Sequence, residues 1–194
     1  MSSRTERTQQ AIVEAAARLW QERGLHATGL KEIAAAAGVT RRTIYLHFGS
    51  KSALLLAVVD QAERDAGLPE LAARLREAHT PEEVLERLAD IQVQYVPRIY
   101  ESIRLVHAAR REEPAADEVW NGRMRRRRAT LRLLASLIKE QGRLDPSLTL
   151  DDAVMLMWVL TSPHMYEYLV VDGGWSVKHY RGHVVRLLRQ GLLT

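Results

Sequence analysis

The amino-acid sequence predicts an all-α fold, and three observations support this prediction. Apolar residues recur at the three- and four-residue spacing of a helix along most of the 194 residues. The sequence has no run of alternating β-branched residues and no Asn-Gly hairpin signal between two such runs. Prolines stand where helices are expected to begin, as in Thr80-Pro81 and Glu113-Pro114, because proline costs least in the first turn.

The first helix is predicted over residues 5–23. Its apolar stripe consists of Ile12, Ala16, Leu19 and Trp20, which lie at i, i+4, i+7 and i+8, and Gly24 is expected to end it. The stripe should pack on the pair of helices that follows.

Residues 30–51 predict two short helices separated by a glycine turn. Gly38 can adopt the left-handed conformation that ends the first of them, and Thr40 has the side-chain oxygen that caps the second. The helices are expected to meet through small and apolar side chains: Ile33, Ala34, Ala37, Val39, Ile44 and Phe48. This is the helix-turn-helix pattern, in which the second helix enters the major groove of DNA.

The same segment resembles the DNA-binding signature of TetR-family transcriptional regulators. The matching residues are Ile33-Ala34, Gly38-Val39-Thr40, Thr43-Ile44-Tyr45, His47-Phe48 and Lys51. The resemblance spans residues 5–51 and rests on helical pattern beyond them. It implies a helix-turn-helix DNA-binding domain over residues 1–50 and a helical ligand-sensing and dimerisation domain over residues 51–194. The implied protein is a homodimer that binds a double-stranded DNA operator, usually as a repressor released by a small-molecule effector.

Two positions depart from the family pattern. Arg42 stands where the family often has glycine or another small residue, which adds a possible base contact. Gly29 stands where a threonine usually caps the first of the paired helices, so a side-chain cap is lost there at a cost of a few tenths of a kcal/mol.

The predicted DNA contacts fall into two groups. Arg41 and Arg42 are the candidate base readers, because a guanidinium can bond O6 and N7 of guanine together, and Thr43 is placed beside a base edge or a thymine methyl. Which arginine reads and which neutralises phosphate stays open. The residues expected mainly at phosphates are Thr28, Lys31, Thr40, Tyr45, His47 and Lys51. For any one of them, a solvated surface side chain is the alternative.

Charge is concentrated in the same part of the chain. Residues 1–51 contain eight lysines and arginines and four acids, whereas residues 52–194 contain 20 of each. The whole net charge of +4 therefore lies in the proposed DNA-binding domain.

Further helices are predicted from residue 51 onward, the first of them capped by Ser50. They cover residues 69–78, 81–95, 97–111, 114–141 and 150–171, and a last helix capped by Ser176 runs to residue 190. Pro163 should kink the penultimate helix.

The last two helices are expected to carry the dimer surface. One apolar stripe contains Leu150, Val154, Met157, Trp158, Met165 and Tyr168, and the other contains Val177, Tyr180, Val184, Leu187 and Leu188. Two such helices from each subunit would form a four-helix bundle; alternatively, the stripes complete the core of one subunit.

Eight residues are candidates for an effector site between helices, with plain core packing as the alternative for each. They are Tyr95, Tyr100, His107, Trp120, Met124, Met155, Trp158 and Met165. The arginines at 123 and 125–128 point around most of a helix, so a solvated face is expected rather than one anion site, with Glu112, Glu113, Asp117 and Glu118 close enough in sequence to offset them.

Several functional classes are not expected. The chain has no cysteine, so disulfides and thiolate metal sites are impossible. No catalytic motif or cofactor fingerprint is present, and His179 and His183 lack a third metal ligand, so neither an enzyme nor a cofactor or metal is predicted. No segment predicts a membrane span or signal peptide, which favours a cytoplasmic protein. The alternative keeps the DNA-binding domain but makes the C-terminal part a protein-interaction module without a small-molecule site.

Overall fold

The computed structural model describes residues 3–194, and the regular elements in this range are helices. The extended pairing described there is an isolated bridge between Leu144 and Leu193. The predicted all-α fold is confirmed.

The helices begin and end close to the predicted residues. In chain order they are α1 (Arg4–Arg23), α2 (Leu30–Ala36), α3 (Arg41–Phe48), α4 (Lys51–Asp65), α5 (Leu68–Arg76), α6 (Pro81–Gln94), α7 (Val96–Ala109), α8 (Pro114–Glu140), α9 (Leu150–Leu160), α10 (Pro163–Tyr166) and α11 (Val177–Leu192), with a π-helical turn over Glu167–Asp172. Local caps explain the agreement. Gly24 ends α1 at a positive φ of 84°, and the Ser50 hydroxyl accepts a hydrogen bond from the Ala53 N–H at 3.0 Å.

The chain divides into two compact units. The first contains the described residues up to Ala62 together with Glu101–Arg123, and the second contains Glu63–Tyr100 and Met124–Thr194. This division differs from the predicted boundary at residues 50 and 51. Apolar periodicity locates helices but does not say which helices share a core, and the first unit takes a segment that lies far along the chain.

The core of the first unit is built on the predicted stripe of α1. Ile12, Ala16, Leu19 and Trp20 are all buried, and α1 contacts α2, which in turn contacts α3. The paired helices contribute the buried residues Ile33, Ala34 and Ile44, whereas Ala37, Val39 and Phe48 are half-buried. These contacts fix the orientation of α3.

In the second unit, α11 packs on α6 and α9. One face of α6 presents an acid at every fourth residue. Glu82, Glu86 and Asp90 form ion pairs with Arg143, Arg189 and Arg181 at 2.7, 2.5 and 2.6 Å, respectively. Two of these three partners lie on α11, so charge pairing reinforces the apolar contact between the helices.

Pro163 breaks the penultimate helix instead of kinking it, which corrects the prediction of one helix over residues 150–171. Helix α9 ends at Leu160, and the Ser162 hydroxyl caps a new helix by accepting a hydrogen bond from the Met165 N–H at 3.2 Å. Proline has no N–H to donate and its ring clashes with the preceding turn. With Ser162 as a cap, the chain restarts with proline at the favoured first position.

The residues of the predicted dimer stripes are divided between the core and the surface of the second unit. Val154, Met157, Tyr180, Val184 and Leu188 are buried in its core. The exposed large apolar side chains of this unit are instead Leu133, Leu137, Met155, Val159, Tyr168, Val171, Val177 and Leu187. Five of the eleven stripe residues thus lie in one subunit's core, as the alternative interpretation expects, whereas Tyr168, Val177 and Leu187 remain exposed.

Candidate nucleic-acid interface

Helix α3 has a defined start, a buried face and a free outer face. The Thr43 N–H donates to the Thr40 hydroxyl oxygen at 3.1 Å, and the hydroxyl groups of these two threonines are 2.9 Å apart. Ile44 is buried, while Arg41, Arg42 and Tyr45 are exposed. The cap and the buried isoleucine together fix which side chains face outward.

The turn before α3 and the start of α2 have the geometry that the sequence predicts. Gly38 has a φ of +66°, in the left-handed region where glycine carries no steric penalty. Gly29 supplies no side-chain cap to α2, but its N–H donates to the Glu32 carboxylate at 3.1 Å. One half of the usual reciprocal cap is therefore kept.

Seven of the nine predicted DNA-contact residues have accessible side chains. Lys31, Thr40, Arg41, Arg42 and Tyr45 are exposed, and Thr43 and His47 are half-exposed. All seven lie on α2, on α3 or at the N-cap of α3. The structure therefore leaves this part of the surface available to a phosphate or base.

The two arginines at the start of α3 differ in their contacts. The guanidinium of Arg41 donates to the Tyr45 hydroxyl at 3.1 Å and lies over that ring, 5.4 Å from its centroid. Arg42 is exposed, and no residue in the described range 3–194 makes a hydrogen bond or ion pair with it. Arg42 therefore has its whole guanidinium available, whereas Arg41 is held along the helix by Tyr45.

Lys51 is engaged within the protein. Its ammonium donates to the Leu25 carbonyl at 3.0 Å and to the Glu113 carboxylate at 2.7 Å. The side chains of Lys51 and Glu113 are only 24% and 16% exposed. The structure thus places this ammonium in an internal ion pair. A phosphate contact, as predicted, would require it to be free at the surface. Sequence reasoning paired Glu113 with the arginine run instead, because no local pattern links residues that are 62 positions apart.

Thr28 also lies away from its predicted place. It is 1% exposed, and its hydroxyl oxygen has no hydrogen-bond partner among the described residues. Its carbonyl accepts a long hydrogen bond, 3.4 Å, from the Trp20 indole N–H. Thr28 is thus part of the core beneath α2, and its hydroxyl cannot reach a phosphate without a local rearrangement.

The eight effector-site candidates divide between the two units. In the first unit, the rings of His107 and Trp120 lie 4.5 Å apart, and the Arg110 guanidinium lies over the Trp120 ring at 5.7 Å. Both aromatic residues therefore pack in a cluster that also holds a cation. This arrangement is compatible with plain core packing, the alternative that the sequence left open.

The other six candidates belong to the second unit, where their surroundings differ. The hydroxyl of Tyr95 donates to Glu63 at 2.8 Å, and the hydroxyl of Tyr100 donates to Glu167 at 2.5 Å. Met124, Trp158 and Met165 are half-buried. Met155 is 44% exposed and belongs with the exposed apolar residues, so the structure does not group it with the buried candidates.

Sequence reasoning missed Arg127, one member of the arginine run. Its guanidinium donates to the Trp158 carbonyl at 2.8 Å and to the Thr161 hydroxyl at 3.0 Å, and it lies 4.3 Å from the centroid of the Trp158 ring. Arg125, Arg126 and Arg128 are exposed, as expected for a solvated face. A signal was present, because Arg127 precedes buried Leu131 by one helical turn and so lies on the inner face of α8.

Side chains that could ligate a metal ion are dispersed over residues 3–194. No group of three metal-ligating side chains is present there. The rings of His179 and His183 lie 4.7 Å apart and both pack against Trp175. None of the helices described combines the length and the apolar character needed to cross a membrane.

Known proteins are similar to this chain over the helix-turn-helix segment. Residues 12–58 match the family described as bacterial regulatory proteins, tetR family. Over 81 residues the chain is 40% identical to the HTH-type transcriptional regulator AcrR of Shigella flexneri, an alignment that covers 42% of this chain and 38% of that protein. The chain thus spans about two fifths of the length of the curated relatives it matches.

Solved structures resemble the chain over nearly its whole length. NalD of Pseudomonas aeruginosa, the secondary repressor of the MexAB-OprM multidrug efflux pump, has a TM-score of 0.74 at 24% identity over 98% of both chains. A transcriptional regulator of Saccharomonospora viridis in complex with choline has a TM-score of 0.71 at 23% identity, covering 96% of this chain and 97% of that one. At these identities the likeness establishes the fold.

Proposed function

Since this chain belongs to the TetR family of bacterial regulatory proteins, we propose that it is a sequence-specific DNA-binding transcriptional regulator, and more narrowly a repressor that a small molecule releases from its operator. The observation that carries the proposal is the outer face of α3. A capped helix, locked on its inner side by Ile44, presents the unpaired guanidinium of Arg42 beside Arg41, Thr43 and Tyr45.

Within this proposal, Arg42 reads a base and Arg41 acts mainly at the backbone. A base-reading arginine needs both ends of its guanidinium for the O6 and N7 atoms of guanine, and Arg42 has both free. Arg41 shares its guanidinium with Tyr45, so the two side chains form a preorganised pair suited to a phosphate. Lys31, Thr40, Thr43, Tyr45 and His47 keep their proposed DNA contacts, and Thr28 and Lys51 support the fold of the domain instead.

The proposed regulator is a homodimer that pairs through the second unit. A contiguous exposed apolar patch often marks an interface. This unit exposes eight large apolar side chains, and two pairs of them, Leu133 with Leu137 and Met155 with Val159, lie one helical turn apart on α8 and α9. A twofold dimer presents two copies of α3 and reads a near-palindromic site whose halves lie about 34–36 Å apart. A regulator of this kind acts where the DNA is, so the proposal includes a cytoplasmic location.

The effector part of the proposal is supported by the fold and by the second unit's interior. The S. viridis relative is described in complex with choline, and NalD is described as a repressor. In this chain, the second unit contains a half-buried arginine and several tyrosines, which are polar groups that an enclosed ligand can bind. No residue is proposed to be catalytic.

Selection of bound fragments from a random duplex pool tests the proposal. Enrichment of a near-palindromic site, followed by loss of preference at one base pair of each half-site for Arg42→Ala, is the expected result. The matched control is Arg125→Ala, an exposed arginine of the second unit, which should bind like the parent. Absence of any enriched site, or an unchanged preference for Arg42→Ala, would contradict the assignment of α3. An operator affinity that no small molecule changes would favour the protein-interaction module.

A further inference from the structure

The second unit holds a cation whose partners are all neutral. The guanidinium of Arg127 contacts the Trp158 carbonyl, the Thr161 hydroxyl and the Trp158 ring. No carboxylate in the described part of the chain forms an ion pair with it. Burial lowers the pKa of Arg127 to about 10, so the side chain keeps its proton at neutral pH. The half-buried guanidinium therefore carries a positive charge that no carboxylate of the described residues offsets.

The break at Pro163 accounts for the hydrogen bonds on only one side of the Arg127 guanidinium. The Ser162 N–H donates to the Val159 carbonyl at 3.1 Å, so the Trp158 carbonyl has no partner within the helix and accepts from Arg127 instead. The carboxyl end of α9 carries at most about half a negative charge. Both described hydrogen bonds use the same terminal nitrogen, Nη2, which leaves Nε and Nη1 with no protein acceptor among residues 3–194.

A hydroxyl group without a partner lies on α11, which packs on α9, the helix whose carboxyl end Arg127 contacts. Tyr180 is 0% exposed, packs edge-on against Tyr166 with ring centroids 5.6 Å apart, and its hydroxyl has no hydrogen-bond partner in the described structure. Burial is the main cause that raises the pKa of Tyr180 to about 12, and the positive charge of Arg127 acts in the opposite direction. The phenol is therefore protonated at neutral pH and retains an O–H donor that nothing in the described chain uses.

We propose that Arg127 and Tyr180 form the anion-binding end of the effector site, and that the effector is a small carboxylate with an apolar body. A carboxylate supplies the missing countercharge. Its two oxygens can accept hydrogen bonds from the free side of the guanidinium, and one of them can also accept the hydrogen bond that the phenol O–H donates. The rings of Trp158 and Tyr166 border the two groups and suit an apolar body. This inference rests on the proposed effector function and narrows it to one chemical class.

The test uses the full chain and matched probes. Benzoate, phenylacetate and octanoate are each titrated into the protein in a calorimeter. Their primary amides, which have the same shape without the charge, are titrated in the same way. Each carboxylate that binds should do so at least tenfold more tightly than its amide. Tyr180→Phe, which removes one oxygen and keeps the ring, should weaken carboxylate binding about tenfold and amide binding by less, because the hydrogen bond to a charged acceptor is the stronger one. Arg127→Met should abolish the difference between the two probes. Arg128→Met, an exposed neighbour in the same run, is the control and should bind like the parent.

The outcomes separate this inference from the proposed function. Equal binding of carboxylates and amides, no binding of any carboxylate, or Tyr180→Phe that binds carboxylates like the parent would each overturn the anion site. Because Arg127 also holds the end of α9, its variant can fail to fold, and the Tyr180 variant then decides alone. Release of the operator by amides but not by carboxylates would refute the anion site and leave ligand sensing intact. An operator complex that no probe of either kind disturbs would count against both.

Discussion

The ion pair between Lys51 and Glu113 gives the sharpest prediction, because the sequence and the structure assign Lys51 different roles. A phosphate contact would make Lys51 a determinant of DNA affinity, whereas the observed pair makes it a determinant of stability. Removing one partner of a fully buried pair costs about 3–5 kcal/mol, and an exposed pair contributes about 0–1 kcal/mol. With exposures of 24% and 16% the pair lies between these limits. We expect Lys51→Met to lower the free energy of unfolding by about 2 kcal/mol, partly because the Leu25 carbonyl also loses its donor.

The assay is a double-mutant cycle in chemical denaturation, combined with the salt dependence of operator binding. Lys51→Met and Glu113→Leu should each destabilise the protein, and the double variant should recover most of the loss, because a well-packed apolar pair replaces the ions. Lys31→Met, an exposed lysine of the same unit, should leave the free energy of unfolding unchanged. The slope of log affinity against log salt concentration should be the same for Lys51→Met as for the parent.

The opposite pattern would refute this reasoning. If Lys51→Met were as stable as the parent within about 0.5 kcal/mol and its salt slope fell by about one, the lysine would be a phosphate contact. Glu113→Leu separates the two roles further. If Lys51 binds phosphate, Glu113→Leu should bind DNA at least as tightly as the parent. If Lys51 and Glu113 form a structural ion pair, the same variant should lower the stability of the domain that carries α3.

Three further predictions follow from single features of the structure. Thr28→Val should leave operator affinity unchanged and keep or slightly raise stability in thermal unfolding, since the buried hydroxyl has no partner; weaker operator binding would restore Thr28 to the phosphate contacts. Val159→Lys should shift sedimentation towards the monomer, because it puts a charge in the exposed apolar surface; an unchanged dimer would remove that surface from the interface. The Thr149 hydroxyl and N–H lower the pKa of Asp152 below its ordinary 3.8, so the stabilisation by this cap should be complete above that value and be lost as the pH falls through the lowered pKa. Asp152→Asn should flatten this part of the stability profile between about pH 5 and pH 2, and an unchanged profile would exclude the cap as its cause.

The sequence by itself determined the order of the helices and most of their limits, and the break at Pro163 is the exception. Each limit depends on groups a few residues apart: Gly24 ends a helix through its own φ, and Thr40 and Ser50 cap helices through an N–H three residues ahead. The helix-turn-helix was predictable for the same reason, since the residues that meet between its two helices lie within one short segment. Helix limits of this kind can therefore be predicted from neighbouring residues alone.

Tertiary structure alone decided which side chains remain available. Lys51 contacts a partner 62 residues away, Thr28 is covered by the core, and the Arg127 guanidinium bonds a carbonyl on another helix that has no partner within that helix. The apolar pattern also could not distinguish the stripe that packs on α6 from the apolar side chains that stay exposed, since both consist of the same residue types. A side chain's partner depends on which distant helices pack together, and that choice follows from burial summed over the whole unit rather than from any local pattern.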